Sequence, residues 1–489
     1  MNAGTFKHLF SEYDQKSEFF DEIFDKDHKV RPMYDKIFEL YSGHPIEDFM
    51  NLHNKSKSSF FDQGVTFQVY NEGSGGQEKI FPFDLFPRII DAMEWQTIEQ
   101  GVLQRSKALN LFIRDVYHEK HILKSGIVPF ELINSSSNYL GQMMRLDPPG
   151  GIYNHISGTD LIKHSDGQYY VLEDNIRCPS GVSYVVGNRN ALKRALFGVF
   201  NHYQIHTVTN YGENLLEILE SVKPKGVDIP NCVILTPGVC NSAYYEHAFL
   251  AKTMGIQLVE GRDLIVENDF VYVKTIRGLR KVDVIYRRVD DTFLDPLVFR
   301  PDSALGVSGL FEVYKKGNVT LVNAPGTGVA DDKAIYTYMP EIIQFYLGEK
   351  PILNNVHTYH CSRADDLKYV LEHISELVIK PVDEAGGYGI SIGNKLTKAE
   401  IEAVKKVVQE HPRKYIAQPI MSLSVHATYI EETKSFEQRH VDLRTFTLLG
   451  DKKEFVLKGG LTRVALKKGN LIVNSSQGGG SKDTWVLKK

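Results

Sequence analysis

"VLEDNIRCPSG", residues 171–181, decides how the rest of the chain is read. Apolar Val171 and Leu172 run directly into Glu173, Asp174 and Asn175, followed by Arg177 and a Pro-Ser-Gly turn. A strand that ends in oxygen-bearing side chains has two explanations. It meets solvent, the commoner fate of an isolated Leu-Glu-Asp, or it holds a hard divalent cation, which takes carboxylate and amide oxygens. Glu173 and Asn175 have the period-two spacing that sends both side chains to one face of a strand. Upstream, "GTDLIKH" (158–164), a turn at Asp166-Gly167 and "QYYVLED" (168–174) read as a hairpin. On that hairpin Asp160 can face Glu173 and Asn175.

The bulk properties limit what the chain does. It has 489 residues, 42% hydrophobic and 24% charged, which is ordinary for a globular protein of several domains. A formal net charge of -4 gives no general attraction to nucleic acid or anionic membrane, and no apolar run is long enough to span a bilayer. The start, "MNAGTFKHLFSEYDQKSEFF", lacks the basic-then-apolar layout of a signal peptide. Cys178, Cys232, Cys240 and Cys361 form no C-x-x-C pair, which argues against a zinc knuckle or disulfide framework. A reducing, cytoplasmic setting is expected.

Four segments follow from the texture of the chain. Residues 1–80 read as a helical start and the strand "GVTFQVY", with Gly73, Ser74, Gly75 and Gly76 marking a turn. Residues 81–224 carry helical periodicity from 83 to 123 (Leu85, Ile89, Ile90, Leu109, Phe112, Ile113, Val116) and then the hairpin. Gln104 and Arg105, inside that periodic run, are expected to be solvated or to line a cleft. In residues 225–332, "NCVILTPG", "SAYYEHAFLAKTMG" and "IQLVEG" form a strand–helix–strand unit of the parallel type. Residues 333–489 read as helix and antiparallel strand, introduced by a helix over "DDKAIYTYMPEIIQFYL" (331–347) and with another from about Lys398 to Glu410. The tail, "NSSQGGGSKDTWVL" (474–487), has the glycine content of a disordered end, but Trp485 within it argues that the tail docks.

Two more patterns carry chemistry. "VIKPVDEAGGYGI" (378–390) aims Lys380 from a strand into a loop with Gly386, Gly387 and Gly389, whose backbone N–H groups can close over phosphates. It is neither a Walker A loop nor a Rossmann fingerprint, and taken in isolation a plain hairpin turn explains it as well. Gln418, in "YIAQPI", suits an adenine-side hinge or an ordinary strand edge. In a parallel sheet, ligands sit beyond the carboxyl ends of strands. That makes Asn241, Tyr244, Glu246, Arg287 and Arg288 a candidate substrate site, the alternatives being a solvated strand end for the arginines and simple helix N-terminal chemistry for Tyr244 and Glu246. An arginine there suits a carboxylate, and Glu246 an amine. Adjacent strand residues face opposite ways, so one of Arg287 and Arg288 is expected in the cleft and the other solvated or paired with Asp290 or Asp291.

A strand lysine, a glycine-rich flap, a hinge strand and a Glu-x-Asn pair together resemble the ATP-grasp fold. The Glu-x-Asn precedes the flap here, so the chain resembles a circularly permuted ATP-grasp protein, an α/β (α+β) fold with a parallel-sheet pre-ATP-grasp domain. It is most similar to the bacterial branch related to glutathionylspermidine synthase, of which only the ligase half is suggested. "PPGGIYNHISGTDLI", "VLEDNIRCPSGVSYVVGNR", "TPGVCNSAYYEHAFLA", "YRRVDD", "NAPGTGVADDKA" and "SSQGGGSKDTW" carry the resemblance. It implies that Asp160, Glu173 and Asn175 are magnesium ligands, and that Lys333 and Lys380 contact the nucleotide. Gly386, Gly387 and Gly389 would be the mobile phosphate loop and Gln418 part of the adenine strand. Arg444 would be the phosphate arginine, with Arg177 and Arg463 as alternatives. One departure stands out. Gly158 occupies the place where the spermidine-linking enzymes carry an arginine, two residues before the first magnesium aspartate. The implied activity is an ATP- and Mg2+-dependent ligase joining a small-molecule or peptide carboxylate to an amine through an acyl phosphate. The alternatives are an ATP-grasp phosphotransferase and a non-catalytic, nucleotide-dependent binding protein. Neither nucleic acid nor membrane is expected as a partner.

Overall fold

A computed structural model of the chain describes residues 9–10, 13, 19–43, 45–71, 74–383, 389–471, 473 and 479–489. The central sheet is built around the long strand Ser435–Leu449. On one side of it lie Ile156–Lys163, Tyr169–Asn175 and the short Asn354–Asn355, and on the other Leu461–Val464, Gly480–Val486 and Phe83–Ile90. The expected hairpin is present, with Asp160 directly opposite Glu173 and a bulge between Asp160 and Leu161. Trp485 is fully buried in the 480–486 strand, which runs parallel to 83–90.

That pairing corrects the helical reading of residues 83–123. Residues 83–90 are buried on both faces, Asp84 and Arg88 included, so the segment has no period-two alternation to distinguish strand from helix. The helix starts only at Ala92, where the Asp91 carboxylate accepts hydrogen bonds from the backbone of Met93 and Glu94. It continues to Tyr117. Two smaller corrections follow. The Ser74–Ile80 segment, including Gly75 and Gly76, is a strand paired with Thr66–Asn71 rather than a turn, and Gly73 lies outside the described residues. The segment 331–347 is broken into Lys333–Tyr336 and Met339–Leu347, the second helix carrying Pro340 in its first turn.

A second sheet is wholly parallel, in the order Thr320–Val322, Val284–Arg287, Cys232–Leu235, Gln257–Val259, with helix Tyr244–Met254 in the crossover. Three of its strands are buried throughout, as parallel strands covered on both faces must be, while in the edge strand Gln257–Val259 only Val259 is buried. A third sheet, antiparallel, joins Tyr359–His360, Tyr415–Pro419, Leu377–Pro381 and Ser391–Ile392. Helices Ala364–His373 and Lys398–Glu410 pack on it around a small core of Val370, Leu377, Ile379, Val408 and Ala417. The second of these helices is started by a reciprocal Thr397–Glu400 cap. No helix among the described residues is long and apolar enough to cross a membrane.

Candidate active site

The site grows from the hairpin. Asp160 is opposite Arg444 on the long strand, and Asp442, two residues earlier, is opposite Arg463. Arg444 grips the Asp160 carboxylate at both ends, Nε to Oδ1 at 2.6 Å and Nη2 to Oδ2 at 2.7 Å. Arg463 adds a third bond to Oδ2 at 2.7 Å and also holds Asp442. Burial by itself would push the Asp160 carboxyl up. The two guanidiniums more than offset this and hold it well below the usual carboxylate range. At Gly158 a Cβ would lie in ordinary contact with Arg444, 3.6 Å from its Cδ, and tightly, at 3.1 Å, against Pro179.

Glu173 stands beside this cluster, its Oε2 3.6 Å from Lys333 Nζ and its Oε1 3.9 Å from Arg444 Nη2. Lys333 opens the short helix Lys333–Tyr336, which Asp332 caps while also pairing with Arg413. The backbone N–H of Lys333 donates to the carbonyl of Val382, just past the Lys380 strand. Lys380 donates to Gln418 Oε1 at 2.6 Å, and Gln418 in turn donates to Thr358. Loss of water pushes the Lys380 ammonium down to about 8, with Lys333 helping and Glu173 and Asp160 pulling the other way. Gln418 is 2% exposed, so its amide is spent on orienting Lys380. Gly389 has φ +69°, and a Cβ there would fall 2.9 Å from Pro381 Cγ, so only glycine passes this close to the lysine strand. Gly386 and Gly387 lie outside the described residues.

The donor set suits a hard cation. Glu173 is partly exposed, and the side-chain nitrogen of Asn175 is buried without a hydrogen-bond partner among the described residues, so no internal bond dictates how that amide is turned. Asp160 Oδ2 accepts two bonds, but Oδ1 accepts one and keeps a lone pair. These three residues fit Mg2+.

Arg177 leaves the cluster sideways. Its Nε binds Asp331 at 2.8 Å and its Nη1 binds Asp290 at 3.2 Å, while Asp331 also accepts the backbone N–H of Ile176. The five residues expected to form a substrate site do not converge. Arg287 is fully buried, bonded to the carbonyls of Asn323, Ala324 and Val289 and paired with Asp291. Arg288 is also buried, held by Pro179, Tyr286, Ser180 and Glu246. Glu246 caps the helix Val182–Ala195 by accepting from Gly181 and Ser183. Both guanidiniums are buried against carbonyls and a carboxylate, although Arg288 Nε has no hydrogen-bond partner among the described residues. Asn241 and Tyr244 instead line a separate hollow of about 960 Å³ with Gly64, Tyr245, Phe249 and Lys252.

Sequence reasoning missed several residues that hold the site. Asn323, 1% exposed, accepts from the backbones of His155 and Ile156 and donates to the carbonyls of Ile156 and Ile176. It stitches the parallel sheet to both hairpin strands. Asp331 clamps the chain just after Asn175. Arg105, expected in a cleft or in solvent, is 1% exposed and paired with Asp174. Gln104 is likewise buried, bonded to Glu349 and the carbonyl of Lys350. The one available signal was Asp174 itself, a charge that period two sends into the sheet's other face.

An oxygen-ligand hairpin, two lysines and an arginine pair, with an antiparallel lid beside a parallel-sheet unit, define an ATP-grasp protein in which the Glu-x-Asn strand precedes the lid. A family model described as circularly permuted ATP-grasp type 2 matches residues 87–465, and the chain belongs to that family. An uncharacterised protein of Synechocystis sp. is 49% identical over 470 residues, covering 96% of this chain and 97% of the relative. A protein of Frankia alni, provisionally named a glutamate–cysteine ligase, is 36% identical over 96% of this chain, which spans 54% of that longer relative. Among solved structures, a glutathione synthetase-like effector from Globodera pallida in apo form superposes with a TM-score of 0.60. It covers 91% of this chain and 98% of that one at 12% identity, a likeness of fold.

Proposed function

We propose that the protein is an ATP-dependent carboxylate–amine ligase. The observation that carries this reading is the convergence of Asp160, Glu173 and Asn175 with Lys333, Lys380, Arg444 and Arg463 at the meeting of the central sheet and the lid. Membership of the ATP-grasp family and the provisional ligase name of the Frankia relative support it.

A substrate carboxylate oxygen attacks the γ-phosphorus of ATP and ADP leaves. An amine nitrogen then attacks the acyl carbon, loses a proton and expels phosphate. The barrier is one of positioning and charge. Glu173, Asn175 and Asp160 would hold Mg2+, which would supply charge stabilisation for phosphoryl transfer when bound. Lys380 and Lys333 meet phosphate oxygens as cations. Arg444 is the phosphate arginine: its guanidinium is anchored on Asp160 and 15% exposed, so it offers a pre-oriented donor. Arg463, buried between Asp160 and Asp442, positions that carboxylate. Arg177 borders the acceptor side, and the glycine loop at 386–389 excludes water from the acyl phosphate. Residues 333–489 supply the lid and the remainder of the ATP-grasp core, including the central-sheet strands Ser435–Leu449, Leu461–Val464 and Gly480–Val486.

The test is incubation with MgATP and pools of amino acids, peptides and polyamines, reading ADP release and new product masses. ADP release that needs both a carboxylate and an amine, with a mass equal to their sum less water, supports the ligase. Transfer of phosphate to a hydroxyl, or ATP binding without turnover, refutes it.

A further inference from the structure

Asp174 lies between Glu173 and Asn175 and points the other way, toward helix Ala92–Tyr117. There Arg105 grips it with Nε at 3.1 and 3.2 Å from the two carboxylate oxygens and with Nη2 on Oδ2, while the Thr159 hydroxyl donates to it. The other arm of Arg105, Nη1, donates to the amide oxygen of Asn355. Asn355 is the last residue of the short strand from which the chain passes into the lid sheet at Tyr359, and its nitrogen donates to the carbonyl of Tyr336. Tyr336 closes the helical turn that Lys333 opens. Its ring lies 5.7 Å from the Arg105 guanidinium carbon, and its hydroxyl donates to the carbonyl of Val171 and accepts from the backbone of Val356. One buried guanidinium therefore touches the ligand strand, the turn bearing Lys333 and the root of the lid.

We propose that Arg105 is a positioning residue that makes these three elements order together, so that the setting of the lid is transmitted to Glu173 and Asn175 through Asp174. The proposal rests on the ligase reading for what the positioned groups do. A hydrophobic residue would pack as well between helix and sheet, and a buried ion pair is a poor device for stability as such. What the pair adds is direction: a planar fork with one carboxylate on one edge and one amide on another.

The test uses the full chain carrying Arg105→Gln with Asp174→Asn, a neutral pair that leaves no charge buried alone. Arg105→Lys is the conservative comparison. Two measurements are made. Calorimetric titration of ATP at graded Mg2+ gives the magnesium concentration for half-maximal binding, and hydrogen exchange is read on peptides covering 353–358. We expect the neutral pair to need about tenfold to a hundredfold more Mg2+. Exchange should be faster at 353–358 and unchanged in the parallel sheet, with Arg105→Lys in between. A folded neutral pair with wild-type magnesium requirement overturns the proposal, whatever its exchange. If wild type binds no MgATP, the ligase reading has failed. Exchange at 353–358 then decides the hub by itself, and wild-type rates there overturn it.

Discussion

Lys380 offers the most exacting test of the nucleotide site. Its ammonium, pushed down to about 8 from an ordinary 10.5, prefers the neutral form by about 3 kcal/mol relative to a solvated lysine. Polyphosphate beside it reverses that preference, so ATP binding should draw a proton from solvent. If binding restores an ordinary value, uptake follows the unprotonated fraction of the free protein. That is about 0.1 proton at pH 7, about 0.5 at pH 8 and about 0.9 at pH 9. Titration calorimetry in buffers of different ionisation enthalpy measures it directly, and Lys380→Met should abolish the rise. The same shift has a stability consequence. Between pH 8 and 10.5 the unfolded chain holds the proton that the folded chain has lost, so wild-type stability should gain from this group as pH rises through that window. The gain should be missing from Lys380→Met. Uptake that is flat from pH 7 to 9, or that persists in the methionine variant, would refute the placement of this lysine against phosphate.

Glu173→Gln and Asn175→Ala should stay folded, since the Asn175 amide nitrogen has no internal bond to lose, yet turnover should fall about 100-fold or more, on the order of 3 kcal/mol. Circular dichroism and ADP release check both. Arg287→Lys and Arg288→Lys should each cost stability, about 3 kcal/mol in denaturant unfolding, while the Michaelis constants of folded protein move little. A selective rise in the constant for the carboxylate substrate would restore them as substrate ligands. Gly389→Ala should cost about 1–2 kcal/mol, because the alanine must keep a positive φ and push against Pro381. Thermal unfolding measures this, and an unchanged midpoint would show that the loop relaxes freely.

The local features of this protein were legible from its residues. The Asp166–Gly167 turn and period-two spacing predicted the hairpin, and it is found, but regular pairing from that turn would set Asp160 opposite Leu172; the bulge between Asp160 and Leu161 is what brings it opposite Glu173. The helix expected from about Lys398 to Glu410 spans those residues, and Trp485 is buried as its size suggested. The strand–helix–strand unit at 232–259 also stands. Such signals act over a few residues, where backbone geometry and side-chain period leave little choice. What the tertiary structure decided was the pairing of buried charges that lie far apart in the chain. Arg105 looked like a cleft residue because its partner Asp174 lies 69 positions away, and Arg288 looked like a ligand donor because Pro179, Ser180 and Glu246 come to it only in the folded chain, whereas the Arg287–Asp291 pair, four residues apart, was among those the sequence offered. Residues 83–90 became a strand because the 480–486 segment lies alongside, a pairing across nearly the whole chain. A charge removed from water must find an opposite charge or a carbonyl, and an apolar run must find a surface. Neither requirement names its partner within the local sequence, so long-range packing makes the choice.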